Sequence, residues 1–431
     1  MNKQNTLSDD NSERKLPKLR FPEFQAALGW ERISIKNSCK AIFSGGTPTT
    51  TNRSYYGGHI PFIRSAEISS YSTELFLTNE GLINSSAKMV NQGDVLVALY
   101  GANSGNVAVS KLNGAINQAV LCLQHKNNNQ FLYQILSFYQ ERIVNTYIQG
   151  GQGNLSGEII KELKLPFPEN DEQQKIADCL SSLDDLIALQ EQKLEALKNH
   201  KKGLMQQLFP SHNDLQASKQ ASKQASKQAS KQAIVYPKLR FNQFKDDKGW
   251  EVVTLGDLFN LNIGSEKVSI FDKNKIITVK LHTLGAVKNE KTDTLTGGTN
   301  YFHRRAGNFI FSKIDFLNGA FAIIPECLDG FCSSADVPTF AFKKSSNPEF
   351  LMYWLKSNYL KLSIERSGTS NTLKRISPKA LLSISLPTPS PQEQQKIANC
   401  LSSVDNLIDE QTQQLGSLKK HKKGLMQQLF V

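Results

Sequence analysis

Residues 172–209, EQQKIADCLSSLDDLIALQEQKLEALKNHKKGLMQQLF, return at 393–430 as EQQKIANCLSSVDNLIDEQTQQLGSLKKHKKGLMQQLF, with 28 of the 38 aligned positions identical. Two shorter phrases repeat at nearly the same interval: PKLRF at Pro17–Phe21 and Pro237–Phe241, and GWE at Gly29–Glu31 and Gly249–Glu251. The segments between these phrases and each long repeat barely resemble one another. A chain written this way must fold as two related halves, and a missed repeat spoils every later inference. The order predicted along the chain is a disordered N-terminal tail (1–16), block A (17–171), a long helix (172–209), a linker (210–236), block B (237–392) and a second long helix (393–431). The linker contains ASKQ written four times in succession within Gln216–Ala233.

The repeated segment is helical. Apolar residues recur at 3-4 spacing: Ile176, Leu180, Leu183, Ile187, Leu194, Leu197, Leu204 and Leu208, matched by Ile397, Leu401, Val404, Ile408, Leu415, Leu418, Leu425 and Leu429. That is a heptad seam, interrupted at matching layers by Gln190/Gln411 and Lys201/Lys422. Each helix spans ~57 Å at 1.5 Å per residue. The cyclic order block–helix–block–helix favours an antiparallel coiled coil with a pseudo-twofold axis. Two amphipathic helices packed separately on their own domains are the plainer alternative.

The blocks read as mixed α/β (α+β) domains. Block A has strand-like runs at Ile33–Phe43, Asp94–Tyr100, Asn106–Val109 and Ala119–Leu123, then a helix-like stretch at Gln130–Ile148; block B repeats the plan in GNFIFSKIDFLNGAFAII and PEFLMYWLKSNYLKLSIERS. The net charge of +12 favours a polyanionic partner, and it resides in folded segments: block A carries +2 and block B +7. No apolar run reaches the 18 residues that suggest a membrane span, and the polar N-terminus lacks the apolar core of a secretory signal. Six scattered cysteines without a CxxC pair fit a reduced, cytoplasmic protein.

Catalytic motifs are missing: no GxxxxGK[ST], no dinucleotide fingerprint, no Asn/Asp-Pro-Pro-aromatic stretch and no HExxH. What remains are loops rich in Gly, hydroxyls, amides and cations, which suit phosphate and base-edge contacts and equally suit structural turns. In block A the candidates are Thr47, Arg53, Tyr55 and Arg64 in SGGTPTTTNRSYYGGHIPFIR, Tyr100 and Asn103 in ALYGANSGN, Gln118 in INQAV, and Asn154 in GQGNLSG. In block B they are Lys280 and His282 in KLHTLG, Arg304 and Arg305 in HRRAG, Lys313 in SKID, and Asn371, Lys374 and Arg375 in SGTSNTLKR. No catalytic, cofactor-binding or metal-binding residue is assigned.

Over nearly its whole length the chain resembles the specificity (S) subunits of type I restriction–modification systems. The motifs that carry the likeness are SGGTP followed by YYGGHIPFI, INQAV, FSKIDFLNGAFAIIP with SSADVPTF, and LPxPxxxEQQKIAxCL leading each HKKGLMQQLF helix. The resemblance implies two target-recognition domains, each reading one half of a bipartite site in double-stranded DNA, held apart by antiparallel helices. It implies two modification (methyltransferase) subunits docked on that scaffold, with restriction (helicase–nuclease) subunits added. S-adenosylmethionine, ATP and Mg would then belong to the partner subunits, and this chain would be non-catalytic. SGGTP and the double-glycine loop occur in block A only, so contacts do not transfer from one block to the other by sequence. The competing class is a coiled-coil protein–protein scaffold without sequence-specific DNA binding.

Overall fold

A computed structural model describes residues 14–147, 154–211, 213–217, 233–260, 266–269, 272–290, 300–362, 364, 366–367 and 375–431. Most of the N-terminal segment predicted to be disordered, and most of the ASKQ repeat, lie outside the described residues. Contacts divide the chain into two units: Met1–Gln192 with Gln413–Val431, and Lys193–Thr412. Neither unit is one uninterrupted block with its own helix. Each takes in the head of one long helix and the tail of the other.

The long helices span Asn170–Leu208 and Pro391–Leu429. Acidic residues sit in the first turn of both, Asp171 and Glu172 in one and Glu393 in the other, where they complement the helix dipole. In the first unit the helix segments run antiparallel: Lys422 pairs with Asp184 at 2.5 Å and Lys419 with Glu191 at 2.6 Å, while Met426 and Leu429 pack among Ile176, Ala177 and Leu180. The second unit repeats this with Lys201 on Asp405 and Leu208 among Ile397, Ala398 and Leu401. The lysines that interrupt the seam are thus ion-paired across it.

The short repeated phrases have one joint purpose. Arg20 donates from Nε and Nη2 to the Glu172 carboxylate at 2.8 and 2.6 Å, and its remaining donors reach the carbonyls of Ala27 and Leu28. Arg240 does the same with Glu393, at 2.8 Å for both, and with the carbonyls of Asp247 and Lys248. PKLRF, GWE and EQQ therefore clip the entry of each block to the start of the helix that leaves it. Over each clip lies a buried tryptophan. Trp30 packs against Phe131 and Phe430, and Trp250 against Phe350 and Phe209.

Beneath the divergent sequences both blocks build one sheet. In block A the strand order is Cys39–Ser44, Val120–His125, Val95–Ala98, Val107–Val109; in block B it is Phe259–Asn260, Thr339–Phe342, Phe309–Phe311, Phe321–Ile323, with every pairing antiparallel. The central strands Val120–His125, Val95–Ala98 and Phe309–Phe311 are buried on both faces, so their side chains alternate between two cores. Val95 and Val97 join the core of the Asn129–Tyr147 helix, while Leu96 and Ala98 join a second cluster with Ile63 and Ile116. Phe309 and Phe311 face the Pro348–Asn358 helix core and Ile310 the opposite one. Block A adds a four-stranded sheet in which Tyr56–Ile63 runs parallel to Gly114–Ile116.

The run Ile33–Phe43, predicted as one strand, is interrupted. Strands Glu31–Ser34 and Cys39–Ser44 flank a helical turn, Ile35–Ser38, whose start is capped by Ser34 Oγ accepting from the Asn37 amide. Among the described residues no helix is long and apolar enough to cross a membrane.

Candidate nucleic-acid interface

At one end of the block A sheet, four loops meet. The Leu99 amide donates to the Ala119 carbonyl at 2.8 Å, the Leu155 amide to the Leu99 carbonyl at 3.0 Å, and the Gly45 amide to the Asn117 carbonyl at 3.2 Å. Thr47 Oγ1 donates to Gln118 Oε1 at 2.7 Å. Segments 44–48, 99–106, 117–119 and 154–156, widely separated in sequence, are therefore neighbours. The first glycine of SGGTP follows from this crowding, because a Cβ at Gly45 would stand 1.8 Å from the Ile116 carbonyl oxygen, and the second from Ser86, whose Oγ would lie 2.1 Å from a Cβ at Gly46.

Block B assembles its loops on the same frame. Lys313 takes the place of Leu99, its amide donating to the Asp336 carbonyl at 2.8 Å and its carbonyl accepting from the Ile376 amide at 2.8 Å. His282 and Thr283 are tied into this cluster by amide bonds to the carbonyls of Asn318 and Gly319 at 2.8 and 2.9 Å. Both are non-glycine residues in the left-handed region, with φ of 56° and 59°. Such backbone is costly, most of all for a β-branched threonine, and it gathers at functional loops.

Most candidate side chains fall on these clusters. Thr47, Gln118, Tyr100 and Asn154 are exposed in block A, and Asn103 is half-buried and accepts a 3.4 Å bond from Asn106. Arg53 is exposed in the turn Arg53–Tyr55, whose start is capped by Asn52, while Tyr55 is half-buried. Arg64 follows the Ile63–Ile116 pair but is not a free cation. Glu67 and Glu74 hold its guanidinium at 3.0 and 2.5 Å.

In block B, Lys280 and His282 are exposed and Lys313 is half-buried. Arg375 is half-buried and pairs with Asp336 at 3.1 Å. Asn371 and Lys374 lie outside the described residues.

Arg304 corrects the sequence reading. It is 2% exposed and turns inward, donating to Ser333 Oγ at 2.7 Å, Thr339 Oγ1 at 3.3 Å and the carbonyls of Ser334 and Val337 at 3.3 and 3.1 Å. Burial pushes its pKa down to about 10. It therefore clamps the SSADVP segment and does not reach a ligand. Its neighbour Arg305 is exposed, in the turn before Phe309–Phe311, whereas Lys313 follows that strand; Arg305 is thus apart from the cluster.

Among the described residues no group of three His, Cys, Asp or Glu side chains is placed to hold a metal ion. The two clusters offer hydroxyls, amides, backbone groups and cations at two sites built to one plan. Those groups can bind phosphate and read base edges.

Residues 28–199 and 247–420 each match the model of the type I restriction modification DNA specificity domain. The chain is 24% identical over 430 residues to the specificity subunit of the type I restriction enzyme MjaVIII of Methanocaldococcus jannaschii, covering 96% of this chain and 93% of that protein. It is 26% identical over 281 residues to the MjaIX specificity subunit of the same organism, covering 61% and 60%. Among solved structures it is similar to the S subunit of a type I restriction–modification system from M. genitalium, with a TM-score of 0.57 at 17% identity over 97% of this chain and 99% of that one. A chain from a study of complex assembly and conformational transition of the type I R-M system gives 0.51 at 16% identity over 93% and 97%. These two structural likenesses speak to the fold.

Proposed function

The chain belongs to the type I restriction modification DNA specificity family, and on that footing we propose that its two blocks read the two halves of a bipartite site in double-stranded DNA. One observation carries this reading. A common sheet and loop frame is built twice, with Leu99, Ala119 and Leu155 matched by Lys313, Asp336 and Ile376, but with different side chains projecting from it. A constant frame with variable loops is what two related readers of two different sequences require. The near-identical long helices present one surface twice, which fits docking of two modification subunits. The chain itself is non-catalytic in this proposal. S-adenosylmethionine, ATP and Mg stay with the modification and restriction subunits, and the assembly works in the cytoplasm.

Methylome sequencing of the host with and without this gene tests the proposal. Adenine methylation at one interrupted sequence should disappear with the gene. An unchanged methylome would refute it.

A further inference from the structure

We propose that the groove between the end of the first long helix and the Pro348–Asn358 helix binds phosphates of the DNA backbone, an inference that rests on the DNA recognition proposed above. The groove encloses about 630 Å³, and Lys198, Lys201, Lys202, Lys238, Lys356 and Lys361 line it with no carboxylate among the lining residues. Lys201 is paired with Asp405 behind the groove. Lys356 is half-buried, its Nζ lies 5.9 Å from the centre of the Tyr353 ring, and no carboxylate pairs with it among the described residues. Burial first and the nearby Lys201 charge second disfavour its protonated form, and the Asp405 carboxylate offsets them only in part. Six ammonium groups line the groove and, among the described residues, Lys201 alone of them is ion-paired, so they repel one another more than Asp405 compensates, and an anion in the groove offsets that repulsion.

The first unit contains the same groove with weaker charge. Lys419, Lys422 and Lys423 repeat the helix lysines, but Ser137, Phe138 and Glu141 line the opposite wall. Aligning FLYQILSF with FLMYWLKS sets Ser137 where block B has Lys356. The alignment is structural as well, since Gln134 and Tyr353 occupy one position and bond to Asp184 and Asp405 at 2.7 and 2.8 Å.

The position of the groove favours DNA as the anion. In the first unit its rim includes Ser104 and Asn106, from the loop that carries Asn103. In the second, the turn Tyr359–Lys361 packs against the turn Phe316–Asn318 in the matching loop, with the Tyr359 ring 5.7 Å from Phe321. A duplex whose bases meet these loops carries its phosphates past the adjoining lysines. Block B therefore supplies more of the salt-sensitive affinity than block A.

The test uses the full chain assembled with the methyltransferase subunits of its system, bound to a target duplex over a range of salt concentrations. Lys356→Met and Lys361→Gln should each flatten the log–log salt dependence by about 1. Target and unrelated duplexes should lose affinity by the same factor, and the methylated sequence should not change. Lys202→Gln, at an exposed position, repeats the test without disturbing packed side chains. Ser137→Lys should steepen the dependence by about 1. Unchanged slopes in folded variants would overturn the proposal, as would loss of subunit assembly in place of DNA affinity, which would mark the groove as a seat for an acidic protein segment. A wild-type complex that preferred no sequence would instead refute the underlying recognition.

Discussion

Phe430 stands edge-on to Trp30, ring centroids 6.1 Å apart, so the last turn of the chain completes the core beneath its first block. Phe209, the same residue in the other copy, stands edge-on to Trp250 at 6.5 Å. Each block thus borrows its closing aromatic from the helix that follows the other block.

Removing that ring should act on one unit only. Phe430 is 3% exposed, and Phe430→Ala should cost ~3–5 kcal/mol through lost burial and the cavity left behind. Hydrogen exchange of the intact chain is the check, because a single melting curve does not separate two units. Protection should fall in the strands around Trp30 and persist around Trp250, with the reverse for Phe209→Ala. Equal loss in both units would contradict the arrangement.

The Arg20–Glu172 and Arg240–Glu393 clips should be intolerant of single changes. Glu172 and Glu393 are each 1% exposed, so Arg20→Met or Arg240→Met leaves a buried carboxylate without its cation, at a cost of ~3–5 kcal/mol. Adding Glu172→Leu to Arg20→Met should recover much of the loss. Urea unfolding read by hydrogen exchange in the affected unit measures both, and a double variant no better than the single would argue against the pairing.

Much of the architecture was legible in the sequence because it is encoded locally. The seam from Ile176 to Leu208 has a helical period, and the Gly-rich loops punctuate the strands. The clip was not legible, since Arg20 and Glu172 are 152 positions apart and neither phrase shows which partner it needs. Arg304 and Arg305 look alike in HRRAG. Only the placement of Ser333, Thr339 and the Val337 carbonyl makes one a buried clamp and leaves the other exposed. The shared frame of the two blocks was hidden for a related reason. Backbone bonds define it, and these accept Leu99 and Lys313 equally.

That contrast gives a paired test. Arg304→Met leaves the Ser334 and Val337 carbonyls without their buried donor and should destabilise block B by ~1–3 kcal/mol, lowering the yield of folded protein. Arg305→Ala should leave stability within about 0.5 kcal/mol. Hydrogen exchange of the strands around Phe309–Phe311 in both variants decides it, and equal protection would show that the clamp is dispensable.

His125 should give block A an acid limit. Its Nδ1 accepts from the amides of Asn127 and Asn128 at 3.1 and 2.9 Å, which requires neutral imidazole, and its ring stacks on Phe167 at 5.5 Å. Burial first, and Lys126 second, push its pKa down to about 4 from 6.5. The folded state therefore resists protonation while the unfolded state accepts it. The associated stability is fully present above pH 6.5, erodes as the pH falls, and is gone below about 4, a loss on the order of 3 kcal/mol. His125→Gln should flatten this part of the stability–pH curve for block A. A variant with the wild-type slope would assign the acid sensitivity to another group.

The linker offers the last test. ASKQ stands four times in succession within Gln216–Ala233, between the first long helix and block B, and none of its side chains is apolar enough to need a core. Its length enters the reach of the chain from that helix to block B. If an added unit runs helically, four residues contribute ~6 Å at 1.5 Å per residue. At ~3.4 Å per base pair along one strand, that is about two base pairs. Tandem identity at the protein level also fits tandem identity in the gene, which replication can lengthen or shorten. We therefore expect variants with three, four and five ASKQ units to keep both half-sites while the gap between them changes by about one to two base pairs per unit. Methylome sequencing of the three strains measures the gap directly. A constant gap would mean that the long helices alone set the spacing and that the repeat is slack.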